Sequence, residues 1–329
     1  MQASFDAYVT AVSFDSTGQA VFALGDGTVR FEDGASVQAH DGAVLSAVLH
    51  PSGEGMVTGG DDGRLVWARP NDTRGAGAVE LAALPGKWID AVAASAASGL
   101  IAFAAGREVH VRDVADAGFS RSFAHEKSVA DLAFEPKGRR LAAATYGGVW
   151  LWYARIDAQK PAKLNWAGSH VGIAWSPDGK FLVSAMQENQ LHGWRVADEK
   201  NMRMGGYPAK PKSLAFLNKG SLMATSGANG VVVWPFAGAT GPMGKQAAEV
   251  GYDEAAMVVS VAGAPGLNWV TAGLDDGRVW ACDLSGQKII PIRAEKGEAV
   301  SALAITADAK RVAWGCEDGS AGVAEVDGA

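Results

Sequence analysis

Cysteine is nearly absent: the chain of 329 residues holds two, Cys282 and Cys316. They form no C-x-x-C pair, and one bridge would not staple a chain this long. A disulfide framework is therefore excluded, and a reducing compartment, the cytoplasm, is expected. No basic cluster occurs either. The formal net charge is −7 with charges dispersed along the chain. Nucleic acid needs clustered Lys and Arg to displace counterions, so no nucleic-acid partner is expected. The apolar runs fall short of the ~20 residues of a membrane helix, so no membrane partner is expected. The start, "MQASFDAYVT", lacks the basic-then-apolar pattern of an export signal. Helical periodicity with proper caps is also missing.

What is present is apolar and repetitive. Hydrophobic residues make up 48% of the chain, including 11 Trp, enough for a sizeable core. A small-and-apolar run ending in a bulky residue recurs, followed each time by a turn: "VTAVSFDSTG", "SVADLAFEPKG" and "HVGIAWSPDG" are three instances. The last residues before the turn are Phe14, Leu49, Ala94, Phe134, Trp175, Phe216, Gly263 and Ile305. Their spacing averages about 41 residues, within the range of propeller blades. After each turn come a second apolar run, a tight polar turn, a third run and a weaker fourth. Such runs between Gly, Pro, Asn and Asp read as strands joined by hairpins.

The expected fold is all-β: a closed β-propeller of four-stranded antiparallel blades in a single domain, residues 1–329. Eight three-strand sets can be counted, so eight blades are expected, with seven as the alternative. The last set lacks a fourth strand. The segment around Gln2–Asp6 would supply it, closing the last blade with the N-terminal strand.

The chain resembles the WD-repeat (WD40) propellers. "AHEKSVADLAFEPKG" (Ala124–Gly138) and "AHDGAVLSAVLHPSG" (Ala39–Gly53) follow that family's Gly-His, strand, Pro-x-Gly pattern with Ala for the first Gly. "WSPDGKFLVSA" and "LGDGTVRF" are close to its phrases. The resemblance implies a network joining a His before the inner strand, a Ser or Thr, a turn Asp and a Trp. His40, Thr58 and Asp61 or Asp62 fit it, with Trp67 one residue early. His125 fits, but its turn, Tyr146-Gly147-Gly148, has no Asp. Few complete networks are expected.

The duplicated "DDGRLVW" (Asp61–Trp67) and "DDGRVW" (Asp275–Trp280) raise the question of chemistry. Paired carboxylates can share a proton or hold a metal, but side chains adjacent in a turn diverge, and calcium-loop spacing is missing. Asp-Gly also suits the positive φ of a hairpin turn, and "GDG" and "EDG" recur at equivalent places, which favours the turn. The six histidines show no ligand spacing, and no nucleophile elbow or phosphate loop has a suitable context. No cofactor, no metal and no catalytic residue is expected.

Asp131 is the only charge at its inner-strand position; Ala11, Ser46, Ala91, Gly172, Ser213, Ser260 and Ala302 stand elsewhere. It is a candidate for binding a partner's base or a cation in the channel, against the plainer role of a solvated or locally held carboxylate. The blade rim is the favoured binding surface. It would display Asp61, Asp62 and Arg64, then Lys87, Trp88 and Arg107, then Tyr146 and Tyr207, then Tyr252, Asp275, Asp276 and Arg278. Aromatics with Arg are the composition of protein-binding hot spots, although Trp88 and Tyr207 could instead tuck between blades. On the opposite side, Arg69–Ala78 and Phe236–Lys245 are expected as long, flexible loops. The expected function is a non-catalytic scaffold that binds protein partners. The competing class is an enzyme or a small-ligand or metal-binding propeller using the channel.

Overall fold

The structure is a computed structural model that describes residues 1–70 and 77–327. Apart from a short 3₁₀ turn at Asn218–Gly220, its regular elements are strands in antiparallel sheets. Among the described residues, no helix is long and apolar enough to cross a membrane. The described residues form seven hydrogen-bonded sheets. Six have four strands and one has six.

The seven sheets correct the expected eight separate blades in favour of the alternative count. The cause lies in two strands of 14 residues, Arg140–Tyr153 and Ala162–Trp175. Residues 141–145 of the first pair with Val129–Phe134, whereas residues 148–151 pair with the strand starting at Ala162. Tyr146-Gly147-Gly148 is nonetheless the expected turn: the chain folds back there, and the Ala154 amide donates to the Arg139 carbonyl at 2.9 Å. Gly148 makes it possible: its φ is +143°, and a Cβ there would lie 2.3 Å from the Leu164 carbonyl.

The chain divides into two compact units, Ser13–Ile173 and the rest, Met1–Val12 with Ala174–Ala329. The divisions fall within two strands, Val9–Phe14 and Ala162–Trp175. In the first unit the core is made where apolar side chains of successive sheets meet. Leu100, Val109, Phe123, Leu132 and Leu141 form one cluster, and Val57, Leu65, Ile89 and Phe103 another. Complete burial of each such side chain stabilises by roughly 1.5–3 kcal/mol. In the second unit, Val258, Val270 and Leu274 pack with Leu217 and Val231. Val279, Val300, Val312 and Trp314 continue the pattern.

The N-terminal strand behaves as expected. Gln2–Ser4 pairs antiparallel with Ser320–Glu325, Gln2 opposite Gly322, and completes a four-stranded sheet in the second unit. The Met1 ammonium donates to the Val323 carbonyl at 2.7 Å.

The inner strands carry a recurring bulge. Register shifts fall at Val44/Ser46, Val129/Asp131, Val258/Ser260 and Val300/Ala302. A bulge re-aims the residues around it.

Of the two long loops, residues 71–76 of Arg69–Ala78 lie outside the described residues. Phe236–Lys245 is tied down rather than loose. Phe236 is buried, Lys245 donates to the Ala237 carbonyl at 2.6 Å, and Arg195 donates to Ala239 at 2.9 Å.

Candidate functional site

The two Asp-Asp-Gly-Arg turns share a first half and differ in the second. Gly63 and Gly277 donate to the carbonyls of Gly60 and Leu274, closing four-residue turns. Only the glycines have positive φ, +78° and +83°. At Gly63 a Cβ would also lie 2.3 Å from the Leu84 carbonyl, so the turn needs glycine twice over. The first Asp of each turn accepts a backbone N–H just before the inner strand of its own sheet. Asp61 takes Ala43 and Asp275 takes Met257, both at 2.9 Å. These carboxylates are turn locks.

Asp62 builds the network that the His40 pattern implies. Its carboxylate lies 2.9 Å from His40 Nδ1 and accepts the amides of Arg64 and Asp41. His40 Nε2 lies 2.8 Å from the Thr58 hydroxyl. A carboxylate can only accept, so Nδ1 carries the proton. Burial acts to raise the Asp62 pKa, but the Arg64 amide, His40 and the Asp41 amide outweigh it and hold the carboxyl below its ordinary value. Trp67 stays outside this network. Its indole donates to the Glu54 carbonyl at 2.8 Å and stacks on His50, with ring centroids 3.9 Å apart. Burial, followed by the charge of Arg69, lowers the His50 pKa to about 4.

Asp276 instead belongs to an ion cluster. Arg278 contacts Asp276 at 2.9 Å and Asp253 at 2.6 Å, and Lys296 reaches Asp276 at 3.1 Å. Hydrogen bonds donated to Asp276 and then to Asp253 raise the guanidinium's pKa further. Arg64 reaches the equivalent Asp62 only at 3.9 Å and pairs closely with Glu80 at 2.8 Å. Matching places in the sequence thus give Arg64 and Arg278 different principal partners.

In the first unit Trp88 is 65% exposed and Tyr146 is 62% exposed. Trp88 lies in an open groove of about 550 Å³ with Lys87, Asp90, Arg107, Glu108 and Ser128. Lys87 is 2.7 Å from Glu108, and both are about half exposed. In the second unit Tyr252 is 64% exposed, beside Asp253 of the ion cluster.

Tyr207 is corrected: it is 7% exposed and displays nothing at the surface. Its phenol oxygen meets the Thr225 hydroxyl at 2.7 Å and accepts the Trp234 indole N–H at 2.7 Å. Burial pushes its pKa up to about 12. It occupies the chemical position that His125 holds elsewhere, where the Trp152 indole donates to His125 Nε2 at 3.0 Å.

Asp131 is corrected as well. One carboxylate oxygen accepts the Leu132 amide and the other the Ile173 amide, each at 2.8 Å. Equivalent oxygens do the same: Ser46 accepts Val92 at 3.2 Å and Ser213 accepts Val261 at 2.8 Å. Asp131 is thus one of a series of struts between successive inner strands. Both oxygens are occupied by backbone amides rather than presented to a ligand. Burial, against the pull of both amides, raises its pKa to about 6.

His110 and His192 are not parts of a ligand cluster. Among the described residues, no group of three or more His, Cys, Asp or Glu side chains is placed to hold a metal ion. Asp90, Ser128 and Lys296 are surface residues that sequence reasoning missed. Asp90 carries a faint signal, an acid immediately before an otherwise apolar inner strand.

Sequence comparison places this geometry. Residues 33–67 and 164–195 match the family described as "WD domain, G-beta repeat". The first match spans the whole His40–Thr58–Asp62 network. No curated protein matches the chain. Among solved structures it is similar to the crystal structure of the computationally designed Ika8 protein, with a TM-score of 0.77 and 20% identity over 98% of each chain. At that identity the likeness concerns the fold alone. Residues 33–67 and 164–195 thus match the WD-repeat model, and the fold that carries them is a β-propeller of four-stranded antiparallel blades.

Proposed function

We propose that this chain is a non-catalytic, cytoplasmic, single-domain platform that binds other proteins through the turns bordering its inner strands. The supporting observation is the exposure of Trp88 beside Arg107 in an open groove. Large aromatics are normally covered, and Trp and Arg dominate protein-binding hot spots. WD-repeat propellers generally serve protein interactions, which supports the same reading. Hydrogen-bonded turns such as those at Asp61 and Asp275 would lose little ordering entropy on docking. Two buried, unpaired cysteines accord with a reducing compartment.

The test is cross-linking capture with the full chain, identification of the enriched protein, and reconstitution of the complex from purified components. A complex of defined mass supports the platform. Failure of every enriched protein to bind the purified chain overturns it.

A further inference from the structure

We propose that the groove around Trp88 takes a peptide segment bearing one basic and one acidic side chain. The base sits against the Trp88 indole and the Asp90 carboxylate, and the acid meets the Arg107 guanidinium. This rests on the platform reading above and specifies the chemistry of its partner.

The backbone sets the display. Ile89 is fully buried, while its neighbours Trp88 and Asp90 are exposed. The buried side chain anchors the segment, and the two flanking ones are left outside. Arg107 sits in the tight turn between Leu100–Ala105 and Glu108–Asp113, and it lines the same groove.

The charges divide into those already spent and those still available. Lys87 and Glu108 neutralise each other at 2.7 Å. Among the described residues, no side-chain hydrogen bond or ion pair holds the Arg107 guanidinium, and none joins Asp90 to a cation. Burial raises the Asp90 pKa with no positive neighbour to offset it. The groove therefore offers a carboxylate without a cation, a guanidinium whose neighbouring carboxylate, Glu108, is already bonded to Lys87, and an uncovered indole. A basic group over an indole face gains a cation–π contact, and a neighbouring carboxylate adds to it. A uniformly acidic segment would be repelled at Asp90, and a uniformly basic one at Arg107. The groove selects against both.

The experiment is selection of a displayed heptapeptide library on the immobilised full chain. Calorimetry with the synthesised winners follows, on wild type, Trp88→Ala, Arg107→Glu and Asp90→Lys. The three side chains are exposed, and circular dichroism checks that each variant is folded. Enriched peptides are expected to carry one Lys or Arg and one Asp or Glu. Trp88→Ala is expected to weaken them about 10-fold or more, in the range of hot-spot truncations. Each charge reversal is expected to weaken them too. The double variant Arg107→Glu with Asp90→Lys is expected to recover binding to peptides whose two charges are exchanged. Enrichment of uniformly charged peptides, affinities unchanged in all three variants, or no enrichment at all overturns the proposal. Peptides that bind independently of Trp88, Arg107 and Asp90 would move the site elsewhere and leave the platform reading standing.

Discussion

The phenol oxygen of Tyr207 accepts the Trp234 indole N–H while also meeting the Thr225 hydroxyl, each at 2.7 Å. A tyrosine thus does in one sheet what His125 does for Trp152 in another. Tyr207→Phe keeps the ring and removes the oxygen. It leaves the indole N–H short of a partner and the Thr225 hydroxyl with only the Val232 carbonyl at 3.3 Å, at a cost of about 1–3 kcal/mol. Urea unfolding should show a lower midpoint with an unchanged slope. An unchanged midpoint would mean that the triad contributes nothing to stability.

Asp131 and Ile173 give a pH-dependent prediction. The folded value of the Asp131 carboxyl, about 6, lies above the ordinary carboxylate value of 3.8. The folded state therefore holds this proton more tightly than the unfolded chain does. The contribution is fully present below about pH 4 and is lost as pH rises through about 6. Asp131→Ser installs the residue found at the equivalent struts Ser46 and Ser213. It should leave stability near pH 4 little changed and raise it by about 1 kcal/mol at pH 8, a figure kept below the full shift because serine keeps only one of the two amide contacts. Parallel pH–stability curves for the two proteins would rule this out.

The duplicated turns should respond unequally to the same substitution. Asp62→Ala removes the partner of buried His40 and of two backbone amides, and should cost about 1–3 kcal/mol. Because the Asp62 carboxyl titrates below its ordinary value, its stabilisation is present above the ordinary carboxylate range and is lost as pH falls. Asp276→Ala removes surface ion pairs with Arg278 and Lys296 and should cost about 0–1 kcal/mol, less still in high salt. Thermal unfolding of both variants at low and high salt makes the comparison. Equal losses would contradict it.

Gly59 sits against the fully buried Ile89. A Cβ at Gly59 would fall 2.5 Å from both Ile89 Cγ2 and the Ile89 carbonyl oxygen. Gly59→Ala should therefore destabilise by roughly 1–3 kcal/mol through overpacking. Ile89→Val does not touch that backbone carbonyl, so it should relieve the clash only in part. A double-mutant cycle in urea measures the coupling. Additive effects would show that the two residues do not constrain each other.

Strand ends were largely legible because each falls where a bulky core residue meets a turn. Phe14, Leu49, Phe134, Trp175, Gly263 and Ile305 each close a strand, and Ala94 and Phe216 fall one residue short. The His40–Thr58–Asp62 network was legible because its spacing is intact. Tyr207 was hidden by spacing. His40 and His125 stand four residues before their strands, whereas Tyr207 stands seven before Leu214, across "PAKPKS". The strut role of Asp131 needs the bulge and the neighbouring strand, and neither is visible in a list of equivalent residues. The joining of two expected blades lies in the strand Ala162–Trp175, which neighbours strands of both and whose continuity no repeat pattern states. Exposure of Trp88 and burial of Tyr207 looked alike in sequence, since both are aromatics shortly before an inner strand.

The pairing of Gln2–Ser4 with Ser320–Glu325 has a kinetic side. Gln2 meets Gly322 only after some 320 intervening residues have been made and brought round. Closing a loop of that length costs about 5 kcal/mol in chain entropy, against roughly 1.5 for a hairpin. Only a three-residue strand repays it locally. This seam should be the last contact formed on refolding and the first to part when the two ends are pulled. A molecule opened there would expose one sheet edge while its other sheets stay paired.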